Sequence, residues 1–424
     1  MSRFFTPLRA WKLYDWADSA FVTTVVAAVL PAYFAGVVCG GGEAGFEVLG
    51  SRIGGSPTSL WGYAVGAAAA LVAVLSPVLG AVADAGGRRK LFLGVFAAGG
   101  MAASAALSLA GPGMVAFTLA MLAVGEVGFA GAQVFYNSLL VGITPPEGRD
   151  RASAGGFAWG YLGGGILLAV NLLMIRKPGL FGLEDAAAAS RASFLSVAAW
   201  WALFSLPLFA TVPEGAGRIP ARSALREGLT ALGATLRALP RQRNLLLFLT
   251  AFLLYNDGIQ TVILMAAVFG KAEMGLDTGD LVAALLLTQA VGVPGSMLYG
   301  RAASRFGAKK SIMAGILAYM AIVLAASRMR TAGEFTALAC AVGVFQGGLQ
   351  AISRSMYSRL IPAGLAAEYF GLFSVSSRFA SILGPLMFAV VRDMTGSARL
   401  SILATLVLFA AGGSVLAAVR EEGG

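Results

Sequence analysis

Histidine is absent from all 424 residues. That removes zinc–histidine centres, histidine haem ligation and every Ser-His triad. Cysteine occurs twice, at Cys39 and Cys340, outside any CxxC pair. Neither forms a redox or metal motif, so both read as small apolar residues near helix ends. Charge is scarce: Asp, Glu, Lys and Arg make up 12% of the chain, against roughly 25% in soluble proteins. A phosphate-cradling loop is also missing, because Gly163-Gly164-Gly165 falls inside an apolar run, which leaves an ATP-driven pump without support. What is present is hydrophobic. The chain is 58% apolar, with a mean hydropathy of +0.79, and no aqueous fold of this size needs so little charge. The formal net charge of +10 does not point to nucleic acid. The basic residues sit in short turns between apolar runs, with no aromatic-interleaved patch.

The composition predicts an all-α polytopic protein in a lipid bilayer. Each crossing needs about 20 mostly apolar residues. Twelve such spans are expected near 14–38, 58–82, 90–110, 114–141, 152–175, 191–212, 245–269, 279–301, 310–328, 333–355, 367–391 and 398–419. The first is too long for a secretory signal, contains Asp18 and belongs to a repeated pattern, so it is read as retained. Of the 31 Lys and Arg residues, 21 fall at the termini and in the loops after even-numbered spans, and nine in the alternate loops. By the positive-inside rule both termini face the cytoplasm, and a bacterial cytoplasmic (inner) membrane is expected.

One short loop occurs nearly twice. Gly80-Ala-Val-Ala-Asp84-Ala-Gly-Gly87-Arg88-Arg89-Lys90 follows the second span, and Gly300-Arg-Ala-Ala-Ser304-Arg305-Phe-Gly307-Ala-Lys309-Lys310 follows the eighth. Gln133 to Pro145 likewise parallels Gln350 to Pro362 at an offset of 217. Duplicated bundles of this kind build many secondary transporters. The expected organisation is an amino-terminal six-helix bundle over 1–212, a linker over 213–243 and a carboxyl-terminal six-helix bundle over 244–424. Within the linker Leu225, Leu229, Leu232, Leu236 and Leu239 fall at helical spacing, with Arg222, Arg226, Arg237 and Arg241 largely off that stripe. This is a basic amphipathic helix expected on the inner leaflet. Gly156, Gly160 and Gly164 in the fifth span, and Gly62 and Gly66 in the second, have the spacing of close helix packing. With so many helices in one chain those contacts are expected to be intramolecular, and a monomer is expected.

Twelve spans with GxxxDxxGRRK between the second and third resemble the major facilitator superfamily. Within it, Leu13-Tyr-Asp-Trp-Ala-Asp-Ser-Ala-Phe21, Tyr161-Leu-Gly-Gly-Gly165, Leu254-Tyr-Asn-Asp-Gly-Ile-Gln260 and Gln346-Gly-Gly-Leu-Gln-Ala-Ile-Ser-Arg-Ser355 resemble the UMF1 family. That family includes the fungal vacuole effluxers of the Atg22 type. The resemblance implies that Asp84 sits near the start of the eleventh helix, where the macrodipole is positive. Together with Gly87, Arg88, Arg89 and either Arg149 or Arg151, it would hold the cytoplasmic side closed. The plainer alternative is that the basic loop only sets topology. Ser304 stands where the first loop has Asp84, so an asymmetric gate is expected.

The remaining signal lies in polar residues at mid-membrane depth. A charge there costs about 2.5–3.5 kcal/mol on insertion scales and marks a pathway by default. Glu126, Gln133 and Asn137 share one face of the fourth span. Asn256, Asp257 and Gln260 lie in the seventh, and Gln346, Gln350 and Arg354 in the tenth. Arg378 lies in the eleventh, flanked by Ser374 and Ser381. Glu126, Asp257, Gln346 and Arg378 fall near one depth. Two acids face one arginine, so one acid must take up a proton or meet a cation. A packing salt bridge is the alternative. Glu126, Asp257 and Asp18 are the proton-coupling candidates. Asp15 and Asp18 are placed in the first turns of span one, Asp15 in a structural role.

These residues suit a small zwitterion. Arg378 would take the carboxylate, and Glu126 or Asp257 the ammonium. Gln133, Asn137, Asn256, Gln260, Gln346 and Gln350 would supply hydrogen bonds. The expected function is secondary active transport of an amino-acid-like solute by alternating access, coupled to protons, with no cofactor and no metal. A sugar or organic-anion transporter and a non-transporting sensor or scaffold are the alternatives. No nucleophile stands beside a base, so an enzyme is not expected.

Overall fold

The computed structural model describes residues 6–48, 51–215, 220–380 and 383–421. Among them twelve helical spans are long and apolar enough to cross a membrane, and the chain is an integral membrane protein. The first, α1 (Pro7–Val38), begins seven residues earlier than hydropathy places it. Thr6 Oγ1 accepts the Arg9 N–H at 3.3 Å and Pro7 occupies the first position, a favoured pairing at helix starts. Hydropathy misses this turn because Arg9 and Lys12 dilute it. Asp15 and Asp18 therefore lie more than two turns inside α1, and both are buried. Their expected place in the first turns is corrected. The helix widens into π-type turns over Phe21–Val29 and Phe34–Val38, either side of Pro31, whose ring supplies no N–H to the ladder.

An antiparallel hairpin follows, β1 (Ala44–Val48) against β2 (Ser51–Gly55), with Phe46 opposite Ile53. The helices then run α2 (Pro57–Gly86), α3 (Arg89–Leu107), α4 (Val115–Ile143), α5 (Arg149–Arg176) and α6 (Ala186–Thr211). The linker carries α7 (Ala221–Ala238). Beyond it come α8 (Arg243–Met274), α9 (Thr278–Phe306), α10 (Ala308–Ala326) and α11 (Ala332–Leu360). The eleventh span carries α12 (Ala366–Phe379) and α13 (Leu383–Thr395). Ser381 lies outside the described residues. The last span is α14 (Ala398–Ala418).

Two compact units result, one of residues 1–75, 88–136 and 159–215, the other of 76–87, 137–158 and 216–424. The first is knit by aromatic rings. Trp11 stacks on Tyr136 at 4.5 Å, and Trp16 stacks on Trp200 at 5.5 Å. Gly160 and Gly164 let α5 approach α1, where added Cβ atoms would lie 2.6 Å from Ser19 Oγ and 3.1 Å from Thr23. Gly62 and Gly66, expected to pack likewise, meet nothing within 4 Å. In the second unit Phe373 stacks on Phe252 at 4.2 Å and on Tyr357 at 4.8 Å. There α9 and α11 touch backbone to backbone, where a Cβ on Gly295 would lie 2.6 Å from the Val344 carbonyl. Such small-residue seams suit lipid, where packing rather than apolar burial joins helices.

The linker helix is amphipathic, with a protein-facing side of small residues beside the leucine stripe. Ala224, Gly228, Leu232 and Thr235 turn inward, while Leu225, Leu229 and Leu236 are exposed. A Cβ on Gly228 would lie 2.8 Å from Val82 Cα, so the small residue is what lets α7 lie against the end of α2. The Arg222 side chain and residues 216–219 lie outside the described residues.

Candidate functional site

Within the second unit, the end of α4 and the starts of α5 and α12 meet the last turns of α11, while the end of α2 meets α12 and the end of α9 meets α5. Arg354 is the hub. Its Nε donates to Ser153 Oγ at 2.8 Å, its Nη1 to Asn137 Oδ1 at 2.9 Å and its Nη2 to the Ser153 carbonyl at 3.0 Å. Its guanidinium also lies over the Phe157 ring at 4.7 Å. The planar fork offers five donors in a fixed geometry, where an ammonium offers three. Arg149 repeats the device at the close of α11. It donates to the carbonyls of Ser358 at 2.8 Å, Thr144 at 3.2 Å and Val141 at 3.2 Å. Asp150 accepts from Arg359 at 3.0 Å and from the Ser355 hydroxyl. Of the three residues at the start of α5, Arg149 and Asp150 are buried and Arg151 is exposed. The sequence reading named Arg151 and missed Asp150.

Asp84 Oδ2 accepts the Glu368 N–H at 2.9 Å, in the first turn of α12. This is the acid-to-helix-start contact that the resemblance implied. Gly80 makes room for it, since a Cβ there would run into the Ala367 carbonyl. The duplicate loop packs equivalently: a Cβ on Gly300 would lie 2.5 Å from the Ala154 Cβ. Its polar contact differs, because Ser304 Oγ donates to the Gly300 carbonyl of its own helix. Gly87 turns the first loop with φ 65° and Gly307 the second with φ 94°, values that favour glycine. Arg88 and Arg89 are half-buried.

In the first unit, Asp18 is fully buried and its Oδ2 accepts from Gln133 Nε2 at 2.7 Å. Asp15 accepts from the Tyr136 hydroxyl at 2.6 Å. Gln133 is thus engaged with an acid the sequence left at the helix start, and Glu126 is half-buried on the same helix. In the second unit Asp257 and Asn256 are buried, while Gln260, Gln346, Gln350 and Arg378 are half-buried. Asp257 Oδ2 accepts the Gly384 N–H at 2.8 Å, in the first turn of α13. Its Oδ1 and the Asn256 Oδ1 have no hydrogen-bond partner among the described residues. Arg378 thus lies in the last turn of α12, and the Asp257 carboxylate meets the first turn of α13.

The family model described as "Vacuole effluxer Atg22 like" matches residues 6–424. The chain belongs to the vacuole effluxer Atg22-like family. This Atg22-like chain is 34% identical over 424 residues to the uncharacterized MFS-type transporter YxiO of Bacillus subtilis, covering 100% of itself and 96% of that protein. It is 28% identical over 298 residues to autophagy-related protein 22 of Cryptococcus neoformans, covering 65% of itself and 53% of that relative. It thus spans about half the length of the fungal protein. Among solved structures it superposes on the human organic anion transporter MFSD10 with a TM-score of 0.70 at 17% identity, covering 96% and 98% of the two chains. For the proton:xylose symporter XylE the values are 0.68, 14%, 98% and 95%. At such identity the likeness shows the fold alone: the twelve-helix architecture of the major facilitator superfamily. The Bacillus subtilis relative is named as a transporter, not as an enzyme.

Proposed function

We propose that this Atg22-like protein is a secondary active transporter of a small amino-acid-like solute, working by alternating access of the bundles 1–212 and 244–424 joined by the linker 213–243. Arg378 holds the substrate carboxylate as a charge-assisted pair. Glu126 or Asp257 takes the ammonium. Asn256, Gln260, Gln346 and Gln350 supply hydrogen bonds, as do Gln133 and Asn137 when released from Asp18 and Arg354. Asp257, Glu126 and Asp18 are the candidates for carrying a coupling proton. Asp84, Gly87, Arg88, Arg89, Arg149 and Arg151 belong to the gate. The excess of basic residues puts that gate, and both termini, on the cytoplasmic side of a bacterial inner membrane. The protein works as a monomer, with the exposed leucines of α7 resting in the inner leaflet.

The observation carrying this reading is the buried Asp257, whose carboxylate accepts the Gly384 N–H in the first turn of α13 and keeps one oxygen without a partner among the described residues, with Arg378 in the last turn of α12. A buried acid at mid-membrane depth marks a pathway by default. The test is flux of radiolabelled amino acids, sugars and organic anions into proteoliposomes under an imposed pH gradient. Amino-acid flux should appear and vanish in Arg378→Ala with folding intact. Undiminished amino-acid flux in that variant, or flux of sugars alone, overturns the assignment.

A further inference from the structure

Glu368 is a buried acid with no role in the proposed substrate site. It is the third residue of α12 and has no exposed surface. Neither of its carboxylate oxygens reaches a partner at hydrogen-bond geometry.

Two elements seal it, α2 and α7. The end of α2 approaches so closely that a Cβ on Gly80 would lie 2.9 Å from Glu368 Cα. One turn on, a Cβ on Gly371 would lie 2.6 Å from the Ser76 carbonyl. From the linker, α7 covers the junction with Gly228 against Val82, and the buried Thr235 hydroxyl faces the Glu368 carboxyl. The next residue of α12, Tyr369, accepts at its hydroxyl from Gln242 Nε2 at 3.0 Å, and its carbonyl accepts from the Tyr357 hydroxyl at 2.6 Å. Those groups are occupied. The neighbouring Asp84 carboxylate, of the same sign, accepts the Glu368 N–H at 2.9 Å.

A carboxylate without a partner is far costlier to bury than the neutral acid, and two neighbouring carboxylates resist sharing an enclosed site. A protonated carboxyl gains an O–H donor, which the Thr235 hydroxyl can accept. Parting α12 from α2 and α7 would admit water and let the acid ionise.

We propose that Glu368 carries a proton while the α2–α12–α7 junction is packed and releases it to the aqueous phase on that side when the junction opens. The proposal rests on alternating access, but it adds a proton site apart from the substrate residues. Linkage gives the sign. The packed state binds one proton more, so packing is favoured as pH falls, by up to tenfold in the packed-to-open ratio per pH unit.

The test is electron–electron distance measurement on the full chain in lipid nanodiscs. Cys39 and Cys340 are replaced by serine, and spin labels are placed at the exposed positions Glu147 and Ala363. Between pH 6 and pH 8 the short-distance population should fall by a factor approaching tenfold per unit. Glu368→Gln should stay in the short-distance state without that slope, and Glu368→Ala should also lose the slope if glutamine is not accommodated. A slope that persists in either variant, or two distances with no slope in the otherwise native chain, overturns the proton site alone. One unchanging distance under every condition overturns it together with alternating access.

Discussion

Arg354 donates to Asn137 across 2.9 Å, and the two are counterparts in the duplicated segments. Each lies eight residues before the proline that closes its segment, Pro362 and Pro145. A residue meeting its own counterpart is what a two-fold relation produces at its axis. Only one of the pair carries charge, so the join is made by one fork of donors against the oxygens of Asn137 and Ser153.

That hub should be sensitive to the shape of the donor as well as to its charge. Arg354→Ala leaves Ser153 and Asn137 short of a donor and should cost about 2–4 kcal/mol. Arg354→Lys keeps the charge but serves fewer acceptors, and should fall between the two. Unfolding temperatures in detergent read the order. Equal stability of lysine, alanine and native arginine would contradict the hub.

Glycines of one helix should behave in opposite ways. Gly80→Val would drive its side chain into the Ala367 carbonyl and part α2 from α12, raising labelling of a cysteine placed at Thr235. Gly62→Ala and Gly66→Ala, which meet nothing within 4 Å, should be neutral or gain up to about 1 kcal/mol from helix propensity. A neutral Gly80→Val would show that this close approach is dispensable.

A lysine in each duplicated loop acts as a cap. In the first unit, Lys90 Nζ donates to the carbonyls of Phe209 and Val212 while its N–H meets Glu214. In the second, Lys309 Nζ donates to Ala417 and Val419 and its N–H meets Glu421. Cations at helix ends typically contribute about 0.3–1 kcal/mol. Lys90→Ala and Lys309→Ala should each lower the unfolding temperature slightly, with little change in flux. A large loss of flux in a normally stable Lys309→Ala protein would place that residue in the gate instead.

Asp257 separates acceptor from proton carrier. Asp257→Asn keeps an oxygen for the Gly384 N–H and should fold and exchange substrate at equilibrium. It should lose accumulation driven by a pH gradient. Asp257→Ala should also weaken the start of α13. Gradient-driven accumulation that survives in Asp257→Asn removes this acid from coupling and leaves Glu126 or Asp18.

Much of this could be read from residue order. The spans follow from local hydropathy, and the duplication shows in the paired loops. The approach of Asp84 to the eleventh span came through the family resemblance. Partners were not legible in residue order. The contact between Arg354 and Asn137 joins two segments that each read as complete on their own. Arg151 was preferred to Asp150 on sign of charge alone. Glu368 reads as an ordinary first-turn acid until its burial is seen. Gly384-Pro385, in the first turn of α13, is a breaker signal that the reading of the eleventh span did not use. In α7 the leucines outweighed the small residues, although Gly228 is what allows close approach.

Residue order determined that this chain is twelve crossings in two related sets, because each apolar run meets the length that lipid imposes without reference to any other. Tertiary structure decided which polar groups meet and which acids are enclosed. In lipid, the side of a helix facing a neighbour and the side facing acyl chains are equally apolar. The rotation and depth of each helix therefore leave little trace in its own residues, and they are set by the helices packed around it.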